Sequence, residues 1–202
     1  MPISTCTPWS RKVCAFSLAA ALLAGGSAAV GGVLVPAGQA SAASASAVHT
    51  DVPTAVKTLN SFYKPALEGR FPGNAAPFQI GVTTYQEVVE AFGKPMTPKK
   101  NADGFDVYTA EMGNPGYAFA YTGNRLREMR YYGTNVERQT NIGGITVKML
   151  KQQWYAPSST TVIKTGKIKQ TKIVYIRGKY QLEFIFNSST ELDHINLLRK
   201  GS

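Results

Sequence analysis

Only two histidines occur among the 202 residues, His49 and His194. The adjacent pair Asp193-His194 is the one arrangement whose residue types suit acid–base chemistry, a carboxylate orienting an imidazole. The segment around it reads as a strand, and neighbouring strand residues point to opposite faces. This predicts that Asp193 cannot orient His194, which then sits as a polar residue beside Asn196. Glu87 and Glu90 lie three apart on a helical pattern, where capping explains the first and solvation the second. No His or acidic pair at helical ligand spacing has a third donor beside it, so no metal is expected. No phosphate loop, dinucleotide fingerprint or G-x-S-x-G elbow occurs, so no cofactor is expected and an enzyme is not the leading reading. A hydrolase using carboxylates brought together by folding is kept as an alternative, because spatial pairs leave no mark in sequence.

A surface offers more than a catalytic set. Taking Met129, Tyr131, Val174, Ile176, Phe184, Phe186, Ile195 and Leu197 as inward, alternation turns Glu128, Arg130, Tyr132, Tyr175, Arg177, Gln181, Glu183 and His194 outward. Tyr and Arg are enriched at protein interfaces, where a rigid side chain with a polar end binds at low entropic cost. Arg130, Tyr132, Tyr175, Arg177, Gln181 and His194 are therefore the candidate binding residues on an open sheet face. An ordinary solvated sheet face is the competing reading.

The elements that must carry this face are written twice. Gly81 to Pro95 has a paler copy at Gly143 to Pro157, which sets Thr84 against Thr146, Val88 against Leu150 and Phe92 against Trp154. Tyr85, Val88, Val89 and Phe92 fall on one helix face, Thr84 and Glu87 form a capping box, and Gly93 then Pro95 supply a stop. The second helix lacks the capping Glu and carries Tyr155 where the first has Gly93, so a less clean end is expected. An earlier helix starts at Asp51 and carries Val52, Val56, Leu59 and Tyr63 at helical spacing, with Phe62 beside them. Strands are expected near 105–111, 117–122 and 125–132, then near 160–165, 172–177, 180–187 and 192–198. Tyr180, Leu182, Phe184 and Phe186 alternate with Gln181, Glu183 and Ile185, as on a sheet covered on one side.

Arg11 and Lys12 precede an apolar run from Val13 to about Val35, with A-x-A sites at 40–42 and 45–47, the pattern of a cleavable signal peptide. The run approaches the ~20 residues of a membrane anchor, but its Gly and Ala content and the following sites favour the signal. Residues 1–47 thus read as leader and Ala/Ser-rich lead-in, 48–142 as first helix plus first module, and 143–200 as second module. Both cysteines, Cys6 and Cys14, lie in the leader, so disulfides and thiolate chemistry are excluded downstream. Removing Arg11 and Lys12 leaves 20 Lys+Arg against 12 Asp+Glu. Residues 51–141 hold ten basic against nine acidic groups, and residues 148–200 hold ten against three. A basic second module suggests anionic wall polymer or lipid head groups as partners, and at an extracellular address it argues against nucleic acid. The Lys164, Lys167, Lys169 and Lys172 run reads most simply as a solvated hairpin.

The segments LNSFYKPALEGRFPG, GVTTYQEVVEAFGKP and YAFAY, followed by YQLEFIF and LDHINLL, resemble the domain of unknown function 4309 family of exported bacterial proteins, YjgB-like proteins among them. The resemblance runs from Leu59 to Leu198. The G-x-T-x-x-x-V-x-x-x-x-G-x-P piece is similar to the helix openings of beta-lactamase inhibitory protein and of small outer-membrane assembly lipoproteins. It implies a tandem helix-on-sheet module with a shallow concave sheet and implies no reaction. The expected fold is α+β, with helices on one face of antiparallel sheet. The expected function is non-enzymatic recognition of a protein or envelope partner by a secreted or wall-associated monomer that meets the membrane only during export. Electrostatic association with wall polymer is the alternative.

Overall fold

The computed structural model describes residues 52–111, 113–134 and 142–202. The leader, the A-x-A sites, His49, the Asp51 cap and most of the segment joining the two modules lie outside the described residues. Among the described residues no helix is long and apolar enough to cross a membrane.

The chain begins with α1 (Val52–Ser61). Its buried residues are Ala55 and Leu59, with Phe62 buried just past its end, while Val52 and Tyr63 of the expected stripe remain 54% and 38% exposed. Two 3-10 turns, Pro65–Glu68 and Gly73–Ala75, follow. Between them Gly69 has φ 70°, and a Cβ there would lie 2.5 Å from the Tyr180 ring. Only glycine lets this loop close on the sheet.

Helix α2 (Tyr85–Phe92) starts in the expected capping box. The Glu87 N–H donates to Thr84 Oγ1 at 3.3 Å, and the Thr84 N–H donates to Glu87 Oε2 at 2.7 Å. The Thr84 N–H and the Thr84 hydroxyl both donate to the Glu87 carboxylate and hold it below its ordinary pKa. Gly93 ends the helix at φ 77°, its N–H bonding Val89 O at 2.8 Å. Helix α3 (Val147–Trp154) is capped by Thr146, which accepts from the Met149 N–H at 3.1 Å. Its end is less clean than that of α2, as expected: Tyr155 takes the place of Gly93 with φ 63° and ψ −149°, close to the backbone of the glycine but without the cap hydrogen bond that the Gly93 N–H makes.

The fold is α+β, built on one antiparallel sheet of seven strands in the order β1-β2-β3-β7-β6-β5-β4. These are β1 (Asp106–Tyr108), β2 (Pro115–Thr122), β3 (Arg125–Thr134), β4 (Ser159–Thr165), β5 (Ile168–Arg177), β6 (Tyr180–Ser188) and β7 (Glu191–Arg199). Two meanders, β1–β3 and β4–β7, meet where β3 pairs with β7. Cross-strand register fixes which side each residue faces. Phe119, Met129, Leu197, Leu182 and Tyr175 stand in one line across five strands, and all are buried in the core. The helices cover this side: Phe92 of α2 lies 5.7 Å from Phe119, and Trp154 of α3 lies 5.2 Å from Phe184, ring centroid to centroid.

The next line is Ala118, Arg130, Asn196, Glu183 and Val174, followed by Ala120, Glu128, Leu198, Gln181 and Ile176. These residues occupy the side without helices. The expected facing of β5 is therefore reversed. Tyr175 is 4% exposed and points into the core with Ile173, whereas Ile176 points outward and is 39% exposed. The physical reason is that β5 carries apolar residues on both sides, Ile173 and Tyr175 against Val174 and Ile176, so its own pattern cannot choose. Pairing of Ile173 with Phe184 makes the choice.

Candidate functional site: the open face of the sheet

Arg130 and Tyr132 of β3, Gln181 of β6 and His194 of β7 share the open face, as expected. Tyr175 and Arg177 do not. Tyr175 packs edge-on against Trp154 at 5.3 Å, and its hydroxyl donates to Tyr155 O at 3.1 Å. Burial raises its pKa. The Arg177 guanidinium lies on the helix side, 3.5 Å above the Tyr63 ring and 5.1 Å from that of Trp154. Both belong to the joint between α1, α3 and the sheet.

The open face is held by charge and amide groups. The Glu183 side chain, 10% exposed, accepts from Gln181 Nε2 at 2.9 Å, Lys172 Nζ at 3.3 Å and Asn196 Nδ2 at 3.3 Å. A carboxylate so enclosed is tolerable because three donors, one of them a cation, meet its two oxygens. Arg130 pairs with Glu128 at 3.0 Å and stacks 3.9 Å over the Phe105 ring. Arg127 donates to Asp103 O at 2.6 Å. The loop 99–105 thereby lies against the β3 side of the open face, and Ala118 and Ala120 are fully buried. Strands β3, β7, β6 and β5 present the remaining surface, where Tyr132 and Ile176 are each 39% exposed.

Asp193 and His194 correct the expectation that they diverge. His194 pairs with Ile185, the next pair is Leu192 with Phe186, and Asp193 is left opposite no residue. This β-bulge breaks the alternation and brings both side chains to one side. Asp193 Oδ2 and His194 Nδ1 are 2.5 Å apart. Asn187 Nδ2 donates to Asp193 Oδ1 at 3.2 Å, and Gln170 Nε2 donates to Asn187 Oδ1 at 2.8 Å. The hydrogen bond from His194 holds the Asp193 carboxyl below its ordinary pKa, opposed by burial and aided by Asn187 and Arg130. The His194 ring in turn packs 5.6 Å from Tyr132. The contact through Nδ1 orients the imidazole and leaves Nε2 as its other nitrogen. A matching bulge occurs in β3, where Arg127 falls between the pairs of Glu128 and Leu126.

Sequence reasoning missed Lys172, Asn187 and Asn196 as parts of this array. Asn196 was legible, since alternation already placed it beside His194, and Lys172 would follow from the corrected facing of β5. Asn187 leaves no sequence signal, because a bulge sets its partner. Among the described residues no group of three His, Cys, Asp or Glu side chains is placed to hold a metal ion. The helix side carries a groove of about 530 Å³ between α1 and α3, lined by Asn60, Tyr63, Gln153, Trp154 and Tyr155.

The solved crystal structure of YjgB, a DUF4309 family protein from Bacillus subtilis subsp. subtilis str. 168, superimposes with a TM-score of 0.67 and 34% identity. The match covers 73% of this chain and 99% of that one. In sequence, the uncharacterized protein YjgB of Bacillus subtilis (strain 168) is 35% identical over 148 residues, spanning 73% of this chain and 76% of that protein. An extracellular protein containing an SCP domain from Bacillus anthracis str. Ames superimposes less well, with a TM-score of 0.42 and 12% identity over 60% of this chain and 44% of that one. The family model for the domain of unknown function DUF4309 matches residues 59–198, from within α1 to the end of β7, and the chain belongs to that family.

Proposed function

We propose that this protein is an exported, non-enzymatic binding module that recognises a protein or envelope partner through the open face of its sheet. The observation that carries the reading is the convergence of Lys172, Gln181 and Asn196 on the enclosed Glu183 carboxylate, beside the half-exposed Tyr132 and Ile176. Side chains already fixed lose little freedom on binding, so such an array gains affinity by pre-organisation. Export is supported by the basic start, apolar run and A-x-A sites of residues 11–47. The matching bulges of β3 and β7 and the Thr caps of α2 and α3 support a duplicated module.

The test is to replace Tyr132, Gln181 and His194 together by Ala, crosslink the protein in culture and identify what it holds by mass spectrometry. Loss of one partner captured by the unmodified protein, with the fold retained, is the expected result. Capture that survives the triple change would move the binding surface elsewhere. A second reading, electrostatic retention on anionic wall polymer, is favoured by the exposed Lys164, Lys167 and Lys169. It predicts release at moderate salt, since exposed charges are screened over ~8 Å at physiological ionic strength.

A further inference from the structure

The β4–β5 hairpin runs past the core as an arm. Every described residue of β4 except Ile163 is exposed, as are Gly166 to Lys169 at the turn. Lys164 and Lys169 stand directly opposite each other across the two strands, with Lys167 in the turn between them. Like charges so placed repel and destabilise the pair. Nothing nearby relieves them: among the described residues no carboxylate pairs with any of the three. No acidic residue occurs from Tyr155 to Leu182. An anion from outside the described residues would supply the missing counter-charge.

The same arm leaves two aliphatic side chains in water, Val162 at 70% and Ile168 at 57% exposure. Alternation sets Val162 on the side of Lys164 and Lys169, and Ile168 on the other side. Both lie within about 10 Å of the turn at ~3.3 Å per strand residue, the depth to which interfacial segments sink their apolar side chains. A soluble polyanion would satisfy the lysines and leave both aliphatics exposed. A lipid surface satisfies both kinds of group, because long lysine side chains reach head groups while their neighbours enter the acyl boundary.

We propose that the tip of the β4–β5 arm seats the protein on a bilayer rich in anionic lipid, Lys164, Lys167 and Lys169 meeting head-group phosphates and Val162 and Ile168 entering the boundary below. This site is separate from the open face and stands or falls independently of it. The test is sedimentation of the protein with vesicles of equal parts phosphatidylglycerol and phosphatidylcholine, against vesicles of phosphatidylcholine alone and against soluble polyphosphate. The protein should pellet with the anionic vesicles only. K164Q/K167Q/K169Q should lower that partition about a hundredfold, and K164R/K167R/K169R should keep it. V162S/I168S should lower it about tenfold and leave polyphosphate binding unchanged. All the variants share residues 1–51, so any contribution of that segment cancels between them, and each lipid comparison is made relative to K164Q/K167Q/K169Q on the same vesicles. Equal pelleting with neutral vesicles, or an unchanged partition in the lysine-to-glutamine variant, would overturn the proposal. An unchanged partition in V162S/I168S would overturn it in favour of a polyanion. A partner lost in the open-face triple variant while vesicle binding persists would separate the two surfaces.

Discussion

Strands β5 and β6 show opposite physics on their two sides. Toward the helices, Tyr175 and Phe184 meet Trp154 edge-on, with ring centroids 5.2 to 6.0 Å apart, and Phe184 is fully buried. On the reverse, Lys172, Gln181 and Asn196 converge on one carboxylate. Burial of these rings is strong and their edge-on contacts are favourable, so they stabilise the sheet whatever the other side does. A satisfied polar array contributes little net stability but fixes side-chain positions. The helix side therefore holds the fold, and the open side is left to present a pattern.

Substitutions at neighbouring positions of β6 divide the two sides most sharply. Phe184→Ala should cost about 3–5 kcal/mol, read from the urea midpoint, because it empties a site packed by two rings. Glu183→Ala, one residue away, should cost about 1–3 kcal/mol by orphaning three donors. Equal losses at the two positions would erase the distinction. Tyr155 sharpens it from the helix side. A bulky residue at φ 63° is strained, and its carbonyl is held by the Tyr175 hydroxyl. Tyr155→Gly should stabilise the protein by about 1 kcal/mol, the strain relieved less the added freedom of the unfolded chain. A lower melting temperature would show that Tyr155 is needed for more than shape.

The smallest effect concerns acid. Asp193 has its pKa lowered in the folded protein. Its contribution to stability is thus complete above the unfolded carboxylate value of ~3.9 and is lost as pH falls through the lower folded value. Asp193→Asn should flatten that acid limb, read from urea midpoints measured against pH. An acid limb unchanged in Asp193→Asn would contradict a stabilising contact between Asp193 and His194.

The parts legible in the sequence were those set by local chemistry. Thr84 and Glu87 announced a helix start because the capping box closes within three residues. Tyr180 to Phe186 announced a half-covered strand because only one side of it is uniformly large and apolar. The facing of Tyr175 and Arg177 was hidden, since β5 alternates one apolar pair with another and its register is decided by Phe184 on a different strand. The Asp193–His194 contact was hidden because a bulge needs no signature residue and overturns alternation where it occurs. Tyr155 stands in sequence as a weaker helix stop than Gly93, and in the fold it takes a backbone close to the one Gly93 adopts freely, with its carbonyl held by the Tyr175 hydroxyl.

Side-chain footprinting by hydroxyl radicals, on the protein alone and with its crosslinked partner, tests the central claim most directly. Recognition through the open face predicts protection of Tyr132, Ile176 and His194, with Tyr63 and Tyr155 labelled as in the free protein. Protection of Tyr63 and Tyr155 with Tyr132 and His194 unchanged would place the partner on the helix side and contradict the account.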